Sequence, residues 1–201
     1  MTNLNTVDWE HFYQNGKTGW DRGDISPNLN YWLENQQLEP CRILIPGCGN
    51  GYEVLHLAEK GFDVVAIDIA PTAVDNLNKA LTDNKLKADV ILADFFSWNP
   101  DKPFDAIYEQ TSLCALSPEQ WQLYEKCLYN WLKSDGKLLA QFMQTDAEGG
   151  PPYHCEIGDM TELFDASRWQ WSEEHTTEAI HSAGKRERVY LLSRKLSENR
   201  K

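Results

Sequence analysis

The stretch Arg42-Ile43-Leu44-Ile45-Pro46-Gly47-Cys48-Gly49-Asn50-Gly51-Tyr52 decides how this chain folds. A short apolar strand runs into three alternating glycines and then into a helical pattern from Tyr52 to Lys60. Glycine has no Cβ, so the backbone can turn sharply there and lie against a ligand. The amides that open the next helix have no intrahelical partner and can donate to that ligand. A second apolar strand, Asp63 to Ile67, ends in Asp68. An acidic side chain at such a strand tip is placed to bind a ribose hydroxyl pair. The pattern predicts a site for a nucleoside-containing cofactor.

Working outward, strands and helices alternate. Apolar runs at Ile43–Ile45, Val64–Ile67, Val90–Ala93, Ala106–Tyr108 and Leu138–Phe142 read as strands of a sheet covered on both faces. Pro71 suits a first helical position, and Ala73, Val74, Leu77 and Leu81 form one apolar stripe behind it. Ser117-Pro118-Glu119-Gln120 is a capping box ahead of the face formed by Trp121, Tyr124, Leu128 and Trp131. Ser134-Asp135-Gly136 reads as a turn. Trp169–His175 and Arg188–Arg194 read as an antiparallel pair joined by a loop around Gly184, with Glu187 in a solvated turn over Lys185–Arg188. The whole predicts an α/β, doubly wound, mostly parallel sheet with an antiparallel edge strand. One domain is expected over residues 1–201: short helices over 1–40 packed above the carboxyl ends of the strands, a core over 41–195, and a frayed tail over 196–201.

Composition narrows the function. Acidic residues outnumber basic ones, 31 to 19, for a net charge of −12, which argues against nucleic acid or an anionic membrane as partner. No apolar run approaches the roughly 20 residues of a membrane span, and Met1 to Asp8 lacks a signal pattern. The cysteines at 41, 48, 114, 127 and 155 have no Cys-x-x-Cys spacing, so no metal site is expected. Cys41, Cys48, Cys114 and Cys127 read as buried thiols in a reducing compartment, the cytoplasm, with Cys48 a small filler.

The glycine spacing then selects the cofactor. A dinucleotide site wants Gly-x-Gly-x-x-Gly, but Tyr52 stands where the third glycine would allow close helix–strand packing. No Gly-Lys-Ser/Thr follows, so a phosphate loop is excluded as well. The Gly-x-Gly-x-Gly loop, the acidic tip at Asp68, and Ala93-Asp94-Phe95 after the third strand resemble a class I S-adenosylmethionine-dependent methyltransferase. The resemblance implies a seven-stranded Rossmann-like sheet. It also implies a glycine loop beside the methionine part, Asp68 on the ribose, and Asp94 with Phe95 at the adenine. One departure stands out: Ile45 occupies the place of the usual acidic residue two before the first glycine. Something else must meet the charged amino acid end of the cofactor.

The N-terminal segment supplies a candidate. Trp9, Tyr13 and Trp20, followed by Asp21-Arg22-Gly23 and Ser26-Pro27, resemble the start of the thiopurine S-methyltransferase superfamily, and within it the thiol, thiocyanate and halide methyltransferase branch. Leu44–Gly51 and Gly149–Tyr153 match that branch too, so the resemblance runs from about Trp9 to Arg194. It implies an N-terminal helical lid and a cofactor pocket lined by Trp9, Tyr13, Trp20, Gly47, Gly49, Asp68, Asp94, Phe95 and Gln110. Tyr13 stands where the branch usually has tryptophan, and Gln110 where it often has tyrosine. Aromatic faces suit a sulfonium donor, since each stabilises a nearby cation by roughly 0.5–2 kcal/mol.

Around the acceptor, Gly150-Pro151-Pro152-Tyr153 lacks the side chain with which amine-methylating enzymes grip an exocyclic amine, and reads as a rigid segment at the substrate mouth. Gln110, His154 and Arg22 are the catalytic candidates, Tyr153 is a second candidate base, and Arg22 and Arg186 could draw in an anion; Leu113 is a further candidate for acceptor choice. The expected reaction is in-line attack by a small soft nucleophile (thiol, thiopurine, thiocyanate, halide or a chalcogen such as tellurite) on the methyl of S-adenosylmethionine, giving S-adenosylhomocysteine. A small-molecule O-, N- or C-methyltransferase and a non-catalytic protein that binds the cofactor remain open. The chain is expected to act as a monomer.

Overall fold

The computed structural model describes residues 7–173, 175–180 and 185–196. The loop expected around Gly184 and most of the expected tail lie outside them. Asp8 starts α1 (Trp9–Gln14) by accepting from the His11 amide at 3.0 Å. Ser26 starts α2 (Pro27–Glu34), where Pro27 occupies a first-turn position whose missing N–H is not needed. Then follow β1 (Arg42–Pro46), α3 (Tyr52–Glu59), β2 (Asp63–Asp68), α4 (Pro71–Asp83), β3 (Asp89–Leu92) and β4 (Phe104–Gln110). The remainder is α5 (Ser112–Ala115), α6 (Pro118–Trp131), β5 (Leu132–Gln144), α7 (Ile157–Leu163), β6 (Trp169–Trp171), β7 (His175–Ile180) and β8 (Arg186–Arg194). The capping box forms as read, with the Ser117 amide donating to Gln120 Oε1 at 3.2 Å.

Across the sheet the order is β3-β2-β1-β4-β5-β8, and both β6 and β7 pair with the outer side of β8. β1 to β5 are parallel, and β8 runs antiparallel to β5. The sheet is thus seven positions wide, its last position shared by two short strands. The antiparallel strand lies one position inside the edge. From β1 the chain winds outward to β2 and β3, then returns to lay β4 and β5 on the other side. The switch between β1 and β4 opens a crevice at the carboxyl ends, where such sheets bind ligands.

Two cores cover the two faces. Leu29 and Trp32 of α2, Val54 and Leu57 of α3, and Leu77 and Leu81 of α4 pack on one. Trp121, Tyr124, Leu128 and Trp131 of α6 and Met160 of α7 pack on the other. The near-continuous apolar strands follow from this double covering.

Four expectations change. Only part of the N-terminal region overlies the carboxyl ends: α2 is buried against a sheet face, Trp32 edge-on to Tyr108 at 6.1 Å. Ser134-Asp135-Gly136 is no turn between elements; it is a bulge within β5, where the register steps from Phe104↔Leu132 to Ala106↔Lys137 and Asp135 takes φ +61. The extended segment read as Trp169–His175 divides into β6 and β7. Glu187, expected in a solvated turn, sits in β8 opposite Met143 and is 2% exposed. Alternation along Arg186-Glu187-Arg188 turns that one side chain inward, where Arg22 and Gln110 face it.

Candidate active site at the carboxyl ends of the strands

The glycine loop leaves β1 with Gly47 at φ +59 and Gly49 at φ +54, a region closed to most side chains. Space is closed as well. A Cβ on Gly47 would collide with Ser112 Oγ, and one on Gly49 would stand 2.8 Å from the Tyr13 hydroxyl. Asp68 fixes the loop from the neighbouring strand. Its Oδ2 accepts from the Gly49 amide at 2.8 Å and its Oδ1 from the Ala70 amide at 2.9 Å. Burial pushes the Asp68 carboxyl up, opposed by these backbone donors. Cys48, between the glycines, is buried, which raises its thiol well above the ordinary value and keeps it protonated.

The N-terminal segment forms the facing wall. Trp20 meets Trp9 edge-on at 5.2 Å and Tyr13 at 5.7 Å, with Phe12 at 5.9 Å. Two ties hold this aromatic cluster over the loop. Glu10 of α1 accepts from the Thr72 hydroxyl at 2.6 Å and the Thr72 amide at 2.9 Å. Asp21 accepts from the Asn50 side-chain amide and from the Gly23 amide at 2.7 Å.

Between wall and sheet lies a cavity of about 540 Å³. It brings together every residue expected at the cofactor: Trp9, Tyr13, Trp20, Gly47, Gly49, Asp68, Asp94, Phe95 and Gln110. Asp94 accepts from the Phe96 amide at 2.9 Å, which shapes the turn that presents Phe95 against Tyr124. Pro151, Pro152 and Tyr153 line the mouth, and the Tyr153 amide donates to the Cys114 carbonyl at 2.7 Å. Arg22 is at the cavity, whereas His154, Arg186 and Leu113 are not. His154 Nδ1 accepts from the Thr145 amide at 3.0 Å while Nε2 lies 3.2 Å from Glu156 Oε2, so both ring nitrogens are engaged in shaping a loop. Arg186 faces Asp146 at 3.8 Å. Among the described residues no group of three or more His, Cys, Asp or Glu side chains could hold a metal ion.

Beneath Arg22 runs a buried polar chain that the sequence reading missed. The Asn28 side-chain amide and the Ser26 hydroxyl donate to Gln141 Oε1 at 2.8 and 3.1 Å. Gln141 Nε2 donates to the Tyr108 hydroxyl at 2.8 Å, which donates to Gln110 Oε1 at 2.8 Å. Gln110 Nε2 ends the chain on Glu187 at 3.3 Å. One signal was available: Gln141 interrupts the apolar strand Leu138–Met143, and a buried amide must find partners. This chain fixes Gln110 at both ends of its amide, and it moors the N-terminal segment to the sheet.

Comparison with known proteins agrees with this architecture. Residues 4–199 match the family model for thiopurine S-methyltransferase. The chain is 34% identical over 159 residues to thiocyanate methyltransferase 1 of Brassica oleracea, covering 78% of this chain and 70% of that protein. It is 26% identical over 216 residues to a thiopurine S-methyltransferase of Pseudomonas putida, covering 92% and 98%. In fold it resembles magnesium protoporphyrin IX methyltransferase of Synechocystis with bound S-adenosylhomocysteine, at a TM-score of 0.74 and 13% identity, covering 92% of this chain and 97% of that one. The chain therefore belongs to the thiopurine S-methyltransferase family and is an S-adenosylmethionine-dependent S-methyltransferase.

Proposed function

We propose that the cavity holds S-adenosylmethionine against the glycine loop and delivers its methyl to a small soft nucleophile: a thiol, thiopurine, thiocyanate, halide or related chalcogen. The observation that carries this reading is the edge-to-face cluster of Trp9, Tyr13 and Trp20, whose Tyr13 hydroxyl stands 2.8 Å from where a Cβ on Gly49 would lie. Bound S-adenosylmethionine supplies an electrophilic methyl on a sulfonium centre. The residues present fit such a group. The Gly47 and Gly49 backbone leaves room for its chain, and Asp68 accepts at the ribose. Phe95 and the Asp94 turn receive the base. Asp21, held beside Asn50 of the glycine loop, meets the ammonium end and fills the role left open by Ile45.

The aromatic rings offer their faces to positive charge and exclude water, so the approaching nucleophile is desolvated and held in line. Burial raises the Tyr13 phenol, so it stays neutral and can donate. Gln110, locked by Tyr108 and Glu187, presents a fixed amide at the acceptor side. An acceptor that is anionic, or nearly so at neutral pH, needs little help from a base. The reading includes one domain acting as a monomer in the cytoplasm, the last supported by five free cysteines.

The test is direct. Calorimetry should show S-adenosylhomocysteine binding, and S-adenosylhomocysteine should be released on incubating donor with a small thiol, thiocyanate or iodide. Binding without turnover on any soft acceptor, but with turnover on an alcohol or amine, would overturn the assignment of acceptor class.

A further inference from the structure

Arg22 and Gln110 line the end of the cavity assigned above to the acceptor, and behind both stands Glu187, whose side chain has no solvent exposure. Its contacts are long for a buried carboxylate. Arg22 Nη2 lies 3.7 Å from Oε2, and Gln110 Nε2 lies 3.4 and 3.3 Å from the two oxygens. The other ionisable groups that act on it are Glu53 from α3, Tyr108 and Glu109 from β4, and Cys114 from α5. Arg22 also acts on Glu53, so two carboxylates share one guanidinium. With both ionised, that cluster carries net negative charge away from water, which is costly.

We propose that Glu187 is a specificity-determining residue: by holding or releasing one proton it sets the charge that Arg22 presents to the acceptor. A monovalent soft anion then enters together with a proton, and a neutral thiol enters without one. This rests on reading the cavity as a methyl-transfer site. Burial raises the Glu187 carboxyl to about 7, with Arg22 the main opposing influence, so the exchange falls at neutral pH. For an anion, a proton from solvent goes to a Glu187 oxygen, and one of the two carboxylates that offset the Arg22 charge is removed. A bond then forms from the acceptor to the methyl carbon while the carbon–sulfur bond of the donor breaks, its electron pair staying on sulfur. The neutral product departs and Glu187 returns its proton to solvent. For a thiol, sulfur bonds to the methyl carbon as the donor carbon–sulfur bond breaks, the S–H proton passes to solvent, and Glu187 stays ionised beside Arg22 throughout.

The experiment measures dissociation constants of thiocyanate and of 2-mercaptoethanol for the protein with S-adenosylhomocysteine bound, at constant ionic strength, from pH 6 to pH 8. Thiocyanate should weaken about tenfold across that range, as expected for one proton bound with a group of pKa near 7, and 2-mercaptoethanol should not change. In Glu187→Gln, with its fold checked by thermal melting, thiocyanate affinity should be flat and as tight as wild type at pH 6. Arg22→Gln should bind thiocyanate weakly at every pH. A flat wild-type profile, or an unchanged slope in Glu187→Gln, overturns the inference while S-adenosylhomocysteine binding stands. Failure to bind S-adenosylhomocysteine overturns the methyl-transfer reading and this inference with it.

Discussion

The Gly49 amide donates to Asp68 Oδ2 at 2.8 Å, so the loop proposed to cradle the donor and the carboxylate that would take its ribose are one unit. Asp68→Ala should therefore lose twice. Calorimetry should show S-adenosylhomocysteine affinity falling by at least about 100-fold, since a charge-assisted contact is removed and the loop released. Urea unfolding should show a loss of about 1–3 kcal/mol from the two stranded backbone amides. Unchanged affinity with reduced stability would confine Asp68 to a structural role.

Trp20 touches Trp9, Phe12 and Tyr13, and its assigned role is to face the sulfonium. Trp20→Leu should weaken S-adenosylmethionine more than neutral S-adenosylhomocysteine, by a further factor of about 2–30, the span set by one cation–aromatic contact. Equal losses for the two ligands would show that the ring acts through packing alone.

Glu109 of β4 is 1% exposed; its Oε1 accepts from the Leu113 amide at 2.7 Å, while Oε2 has no hydrogen-bond partner among the described residues. Burial pushes its carboxyl from 4.5 to about 8. An acid raised in the folded state holds its proton where the unfolded chain has lost it. Stability is therefore highest below the unfolded value and falls as pH rises from about 4.5 to 8. The slope from this one group reaches at most about 1.4 kcal/mol per pH unit. Glu109→Gln should remove it, so the variant gains on wild type between pH 5 and pH 8 in urea titrations. A constant difference across that range would mean that Glu109 is not protonated in the native protein.

Glu10 ties α1 to the start of α4 through Thr72, whose hydrogen bonds hold its carboxyl below the usual carboxylate range. A lowered acid contributes above its unfolded value and loses its contribution as pH falls through the folded one. Acid should thus loosen the N-terminal wall, and Thr72→Val should do so at neutral pH. Limited proteolysis before Pro27 is the readout: faster cleavage in Thr72→Val, slowed again by S-adenosylhomocysteine. Identical cleavage rates would show that the aromatic cluster alone holds the wall.

The legible parts of the molecule were those governed by local rules. Period-specific apolar runs marked β1 to β5, Pro71 and Ser117 marked helix starts, and alternating glycines marked the loop. Gly47, Gly49 and Asp68, which stand on those landmarks, meet in one cavity with Trp9, Tyr13, Trp20, Asp94, Phe95 and Gln110, which the family resemblance marked. What escaped depends on partners distant in sequence. Glu187 resembles any charged turn residue until Arg22 and Gln110 are seen against it. Asp135-Gly136 looks like a turn because the bulge holds Asp135 at φ +61, the left-handed region that turns also use. α7 is seven residues long with a single buried side chain, Met160, too little for a helical period to show.

The two halves of the cavity differ in when they can exist during synthesis. The loop and strand tip of the donor half close over a short stretch of chain, Gly49 to Asp68, and the Asp94 turn follows soon after. The acceptor half joins Ser26 and Asn28 to Gln141, and Arg22 to Glu187 on the last strand described. Such long-range pairings form late. A nascent chain halted before β8 would carry a donor cradle whose acceptor side lacks Glu187, so the site is complete only once β8 arrives.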